Sequence, residues 1–233
     1  MTWEEEEVLR AYMAEHQPNG KVHLSTSPIG SPILFTRKAD GTLCLCVDYR
    51  SINQLVEPNC YPIPLMDELH EKTAGSSWFT KLDLKNSYYL IRIKKGNEWK
   101  PAFKTKLSSY KYLVMPFGLA NAPARFQAMM DKVLQGLDKT EVHYLDNILI
   151  HTKGSLEDHC NVVKAVLRRL VDNNLAVNLA KSEFYVKETT FLGFIINGSK
   201  TKMKPDKLHI IRAWPHPLTK KQTQMFLGFA NYY

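Results

Sequence analysis

The alternation of apolar and polar positions divides this chain into helices with a period near 3.6 and strands with a period of two. Thr2, with Glu5 three residues on, makes a capping box for a helix through about Gln17, one face of which carries Val8, Leu9, Tyr12 and Met13. Between Pro32 and Asp48 two β-rich runs flank Ala39-Asp40-Gly41, a hairpin signal. A short helix is predicted over 64–74, carrying Leu65 and Leu69. Strands follow near 78–84 and 88–93, with another pair near 101–115. Asn121 and Pro123 open a helix striped by Phe126, Met130, Val133, Leu134 and Leu137. The stretch HYLDNILIH, residues 143–151, sets apolar runs on either side of Asp146-Asn147. It predicts a tight hairpin over 142–151 with those two residues at its tip, because Asn and Asp accept positive φ best after glycine.

Ser155 and Asp158 make a second capping box, backed by Val162, Val163, Val166, Leu167 and Leu170. More strands are expected through about 184–196, then helices at 206–214 and from Thr219 onward, the latter with a Thr219/Gln222 box. Hairpins mixed with amphipathic helices, without a regular βαβ alternation, point to an α+β fold. The last helix is still apolar at Phe226, Leu227, Phe229 and Tyr232 where the chain stops, so it is expected to be an interrupted element.

The 233 residues suffice for one large domain or two small ones. Apolar residues at 44% and charged residues at 23% suit a globular chain and exclude a disordered one. No apolar run approaches the ~18 residues of a membrane span. The acidic start, Glu4 to Glu7, fits neither a secretory signal nor a transit peptide, so an intracellular location, cytoplasmic or nuclear and without a membrane, is expected. The net charge, 31 − 23 = +8, reads equally as an ordinary basic surface or as a face for a polyanion. Cys44, Cys46, Cys60 and Cys160 make no zinc pattern; Cys44 and Cys46 alternate on one face of a strand and are expected to be reduced.

Two acids end or interrupt apolar strands. Asp83 sits near the end of the run WFTKLDLK and Asp146 sits in the hairpin. Asp83 alone reads as a strand-terminating turn residue. If the two strands are neighbours, both carboxylates can converge on a divalent cation, since Mg²⁺ takes hard oxygen ligands shared with substrate phosphates.

A series of ordered blocks supplies a reason to place those strands side by side. They are SPIGSPILFTRKADGTLCLCVDYRSIN (27–53), YPIPLMDEL (61–69), FTKLDLKNSYYLIRI (79–93), EWKPAFKTK (98–106), YLVMPFGLANAPARFQ (112–127), YLDNILI (144–150), FLGFIIN (191–197) and FLGFANYY (226–233). With them the chain resembles the reverse transcriptase domain of gypsy-type LTR retrotransposons. The resemblance implies a right-hand polymerase: fingers at 1–58 and 91–121, palm at 59–90 and 122–198, and a truncated thumb from 199 to 233. The palm is then an antiparallel sheet backed by the helices near 122–137 and 155–173.

The resemblance also implies roles. Asp83 and Asp146, with the Leu84 backbone carbonyl, match the metal ligands for two Mg²⁺ (or Mn²⁺) ions. Arg37 matches a contact to the incoming deoxynucleoside triphosphate, and Phe117 and Gly118 match the loop lining the nucleotide pocket. Tyr88 matches the aromatic that rejects a 2′-hydroxyl; by itself it reads as a core tyrosine. Lys181 matches a proton donor to pyrophosphate, though it reads as well as a solvated surface lysine. Leu192 and Gly193 match the grip on the primer end, and a buried hairpin explains them too. The partners implied are an RNA or DNA template with its primer, and deoxynucleoside triphosphates.

Two positions depart from that pattern. Asn147 stands where the family's hairpin has its second aspartate; an amide keeps the size but gives up the charge. Cys44 stands where an arginine usually clamps the triphosphate, and a thiol is one weak donor in place of a planar charged fork. Ser87, Tyr89 and Leu90 are milder changes. The expectation is a preserved fold with strongly impaired catalysis; the alternative is a non-catalytic nucleic-acid-binding relic or reused scaffold. No RNase H, integrase or protease block is present in this sequence.

Overall fold

The computed structural model describes residues 1–38, 40–62 and 66–232. Ala39 of the first hairpin signal, Leu65 of the short helix and Tyr233 lie outside the described residues. The elements begin with α1 (Trp3–His16), β1 (Val22–Leu24), β2 (Ser31–Arg37), β3 (Leu43–Val47) and α2 (Arg50–Asn53). They continue with α3 (Met66–Thr73), β4 (Trp78–Lys85), β5 (Ala102–Lys104), β6 (Ser109–Tyr112) and α4 (Ala122–Val133). The remainder is β7 (Glu141–Tyr144), β8 (Asn147–Thr152), α5 (Leu156–Asp172), β9 (Ala176–Val177), β10 (Glu183–Val186), β11 (Glu188–Phe191), β12 (Phe194–Asn197), β13 (Lys200–Met203), α6 (Pro205–Arg212) and α7 (Lys220–Tyr232). Among the described residues no helix is long and apolar enough to cross a membrane.

The chain forms two compact units, Met1–Pro62 with Asn86–Met129, and Ile63–Lys85 with Met130–Tyr233. In the first, a sheet in the order β1-β6-β5-β2-β3 is covered by α1. The helix starts where its capping box places it: Thr2 Oγ1 accepts from the Glu5 amide and Glu5 Oε2 accepts from the Thr2 amide. Leu9 and Met13 from its apolar face join Val22, Leu45, Phe103, Tyr110 and Tyr112 in one buried cluster, with Val8 and Tyr12 packed against it.

The second unit is built on a sheet in the order β10-β4-β8-β7, with β9 also paired to β4. From Thr80 onward β4 alternates buried and half-exposed positions, the period of a strand with one face against a core. Helix α5, opened by its Ser155/Asp158 box, buries His159, Val163, Val166 and Leu170. His159 fixes it to the sheet, with Nε2 2.8 Å from Thr80 Oγ1 and Nδ1 2.9 Å from Thr152 Oγ1. A separate sheet, β11-β12-β13, shares a core with Leu69, Phe79, Val142 and Leu149 through Phe191 and Ile196.

Three sequence expectations change. The strand expected at 88–93 is a 3₁₀ turn over Ser87–Leu90, followed by a single bridge between Arg92 and Val114. Asn86 takes φ 52°, in the left-handed region, and turns the chain out of the strand direction. The helix expected to reach Leu137 ends at Val133, because Gly136 at φ 87° reverses the chain before Leu137. The hairpin tip lies one residue earlier than expected. Tyr144 pairs with Asn147, so the two-residue loop is Leu145-Asp146, and Leu145 takes the positive φ of 56°. Strand β13 carried no signal in the sequence reading.

Candidate functional site

The chemistry-bearing residues fall into one group in each unit. In the second, β4 and β8 run antiparallel with Asp83 opposite Asn147. Beyond that pair the Leu84 amide donates to the Asp146 carbonyl at 2.8 Å, tying the hairpin tip to β4. Backbone pairing thus brings together two acids that are far apart in sequence. A leucine at positive φ costs roughly 1–2 kcal/mol, and such strain persists only where the surroundings impose it.

Asp83, Asp146 and Asn147 are all half-buried. Burial pushes the Asp146 carboxyl above the usual carboxylate range and the charge of Asp83 adds to that; a backbone hydrogen bond, Lys181 and Asn147 oppose it. Lys181 sits exposed at the end of a 3₁₀ turn, Leu179–Lys181, close enough for its charge to act on Asp146. Asn147 Nδ2 donates to Asp146 Oδ1 at 3.1 Å, so this amide serves as a donor to the carboxylate beside it.

Residues not singled out in the sequence brace Asp83. The Asp83 amide donates to Ser182 Oγ at 3.2 Å, Ser182 Oγ donates to the Asn178 carbonyl at 2.8 Å, and the Asn178 amide donates to the Asp83 carbonyl at 2.8 Å. The two contacts of Asp83 cross from β4 to the loop after β9, a pairing that no local pattern announces, and the third closes the loop on itself.

Two carboxylates form a hard-oxygen donor set, and the penalty on Asp146 is of the kind a divalent cation relieves. The residues present therefore fit a Mg²⁺ shared with substrate oxygens. Among the described residues no group of three His, Cys, Asp or Glu side chains could hold a metal ion.

Leu192 and Gly193 do not join the acids by any hydrogen bond. They form the two-residue loop between β11 and β12, at φ 49° and 89°, and the Gly193 carbonyl accepts from the Lys204 amide. Positive φ at both positions is what a tight hairpin of this twist needs.

In the first unit Tyr88 is buried, its ring 5.0 Å from that of Phe126 and 4.7 Å from that of Phe117. Phe117 is exposed. Gly118 has φ 93°, a backbone conformation that favours glycine, although a Cβ there would make only ordinary contact with the Tyr49 ring. Asn53 clamps this loop, donating to the Gly118 carbonyl and accepting from the Ala120 amide, each at 2.8 Å. Sequence reasoning missed Asn53 as a site residue; a lone Asn at the end of a short helix gives no signal of that role.

Phe117 and Gly118 line a cavity of about 660 Å³ together with Lys38, Cys44, Cys46, Tyr89, Tyr112 and His16. Arg37 is engaged at the surface, donating to Glu4 Oε2 and to the Gly41 carbonyl, both at 3.1 Å.

Comparison with known proteins supplies the lineage. The family described as "Reverse transcriptase (RNA-dependent DNA polymerase)" matches residues 37–196. The Tf2-7 and Tf2-3 transposon polyproteins of Schizosaccharomyces pombe are each 40% identical over 215 residues, covering 92% of this chain. The chain spans 16% of the length of those curated relatives. Among solved structures, a foamy viral protease-reverse transcriptase with double-stranded DNA superposes with a TM-score of 0.85 at 24% identity, covering 99% of this chain and 40% of that one. A second, with an RNA/DNA hybrid, gives 0.82 at 24% identity, covering 100% of this chain and 31% of that one. At that identity the likeness speaks for the fold.

Proposed function

This chain belongs to the reverse transcriptase family, and from that membership we propose that it is the nucleic-acid-copying domain of an LTR-retrotransposon polyprotein, in a copy whose catalysis is strongly impaired. The reaction of the class is RNA-directed DNA synthesis: a primer 3′ oxygen attacks the α-phosphorus of a deoxynucleoside triphosphate and pyrophosphate leaves. Fingers at 1–58 and 91–121, a palm at 59–90 and 122–198 and the start of a thumb at 199–233 are the corresponding division of the chain.

The observation that carries the reading is the pairing of β4 with β8, which sets Asp83 across from Asn147 with Asp146 at the adjoining turn. Asp83, Asp146 and the Leu84 carbonyl are the groups that would hold Mg²⁺ or Mn²⁺. When bound, the divalent ions supply activation of the primer hydroxyl and neutralise charge on the leaving group. Lys181, whose charge already reaches Asp146, is the donor of the proton that pyrophosphate takes up. Tyr88, held by Phe117 and Phe126, is the group that excludes a 2′-hydroxyl, and Gly118 lets backbone approach the nucleotide. Leu192 and Gly193 steady the primer end.

Impairment follows from charge. Asn147 removes one negative charge from a set that must balance divalent cations and turns a donor toward Asp146. Losing one such preorganised group costs on the order of 10²–10³ in rate. Cys44 removes a phosphate clamp, and Arg37 is already paired with Glu4. Primer extension on an RNA template with Mg²⁺ tests this reading: incorporation by the native chain should lie far below that of an Asn147→Asp, Cys44→Arg double variant, and equal rates would overturn it.

The Asn147–Asp146 hydrogen bond also favours a second reading, a nucleic-acid binder without turnover. It requires affinity for an RNA–DNA duplex that falls steeply with salt. Absence of binding at low ionic strength removes that reading.

A further inference from the structure

We propose that His143 is a positioning residue for the Asp146 turn: a charged imidazolium, clamped between Glu141 and Asp131, that fastens strand β7 to helix α4. The role rests on the reading of Asp83 and Asp146 as the cation-binding pair.

Glu141 and His143 alternate along β7 and so project to one side, while Val142 turns the other way into the core beside Leu69, Phe79 and Leu149. His143 Nδ1 lies 3.0 Å from Glu141 Oε2, and its Nε2 lies 2.8 Å from Asp131 Oδ1 in the last turn of α4. A neutral imidazole has one N–H and could serve only one of these oxygens. Its other nitrogen would set a lone pair against a carboxylate at hydrogen-bond distance. The geometry therefore calls for both ring nitrogens to be protonated. Burial of Glu141 gives a second reason. It is 2% exposed, and a carboxylate buried that deeply is costly without a cation beside it. His143, 8% exposed, is the basic group it meets. Burial disfavours the charged ring, but the hydrogen bonds and charges of Glu141 and Asp131 more than reverse that and hold His143 above the usual histidine range. From β8, the uncharged Ile148 stands opposite His143.

The clamp matters because of where β7 lies. It is the end strand of the order β10-β4-β8-β7, paired along one edge alone among the described residues. Its last residue, Tyr144, leads directly into the Leu145-Asp146 turn, where Leu145 is held at φ 56°. The β8 stem of this hairpin is held by β4, whereas the β7 stem has α4, through His143, in place of a further strand. A strained turn keeps its geometry only while its surroundings impose it. The turn is tied to the strand of the other acid by the Leu84 amide, which donates to the Asp146 carbonyl at 2.8 Å. Loss of the His143 proton should loosen that contact.

NMR on the native chain, without metal or nucleotide, tests this. Ring-nitrogen spectra should show both nitrogens of His143 protonated at pH 7, the signal being assigned by its absence from a Glu141→Gln, His143→Gln double variant. As pH is raised until that ring titrates, protection of the Leu84 amide against exchange should fall about tenfold relative to that of Ser77. The Ser77 amide donates to the Thr152 carbonyl at the far end of the β4–β8 pair and serves as the internal control. The sign follows from linkage: a histidine whose pKa is raised on folding stabilises below its unfolded pKa, and that contribution is lost as pH rises through the folded one. His143→Gln alone would leave Glu141 buried without a cation, so the double variant, which removes both charges, is the one compared. It should show the lowered Leu84 protection at every pH. A neutral His143 ring at pH 7, or protection of Leu84 and Ser77 that moves together in either comparison, overturns the proposal. Neither readout depends on polymerisation, so the proposed function stands or falls separately, by primer extension.

Discussion

Exchanging a carboxylate oxygen for an amide nitrogen at position 147 reverses what that side chain presents to a cation. The present Asn147 donates to Asp146 and so partly relieves a carboxyl already disfavoured by burial and by Asp83. Asn147→Asp would replace that relief with a third negative charge. In chelator the variant should be less stable than the native chain by on the order of 1 kcal/mol, a few degrees in melting temperature. Millimolar Mg²⁺ should then raise its melting temperature well beyond the shift seen for the native chain, because a ligand that binds only the folded state stabilises it by mass action. Thermal melts with and without Mg²⁺ check this, and equal Mg²⁺ shifts in the two proteins would contradict the assignment of Asp83 and Asp146 as a cation site.

Among the elements, β4, β8 and α5 are joined by buried histidines that titrate unfavourably. His151 is 3% exposed, its Nδ1 lies 3.2 Å from Ser76 Oγ, and its Nε2 has no partner. Burial, reinforced by Lys72, Lys153 and His159, lowers its pKa to about 4. A histidine depressed on folding binds fewer protons than in the unfolded chain, so stability is intact above about pH 6.5 and falls as pH drops toward 4. The loss amounts to roughly 3 kcal/mol once both states are protonated. His151→Gln keeps a polar partner for Ser76 without titrating. Denaturant unfolding of the two proteins between pH 7 and 4 should show the native chain losing the more stability; parallel profiles would sink the argument. A second element-scale test concerns Gly198, whose carbonyl accepts from the Gly75 amide at 2.7 Å. A methyl at 198 would overlap the Ser76 carbonyl, so Gly198→Ala should cost about 1–3 kcal/mol in urea unfolding.

How far these elements were legible follows from the range of the forces that set them. The capping boxes at Thr2, Ser155 and Thr219 satisfy amides within one turn, and the sequence locates all three helix starts. Gly136 also marked the end of α4 in plain view, but the apolar stripe through Leu137 outweighed it. The hairpin tip was misplaced because its register is fixed by Asp83 and Leu84 on β4, and a non-local pairing can force positive φ onto a leucine. Asn86 diverted 88–93 from strand to turn for a similar reason: one left-handed residue outweighs a run of good strand formers. Of the site, the acids were readable, whereas Ser182, Asn178 and Asn53 act through backbone contacts that carry no sequence motif.

For the whole molecule, the family match and the shared fold describe a reverse transcriptase domain with a net charge of +8, and on the proposed reading Cys44 and Asn147 fall on groups assigned to the chemistry. Such a scaffold should retain nucleic acid through phosphate contacts even where turnover has failed, with affinity falling by orders of magnitude between 50 and 200 mM salt. The central claim is that missing charge, rather than damaged folding, limits catalysis. It is tested most directly by single-turnover primer extension on an RNA template, comparing the native chain with the Asn147→Asp, Cys44→Arg double variant at matched template occupancy. The expected result is a rise of at least about 10²-fold in incorporation rate. An unchanged rate, with both proteins folded and bound to template, would contradict it.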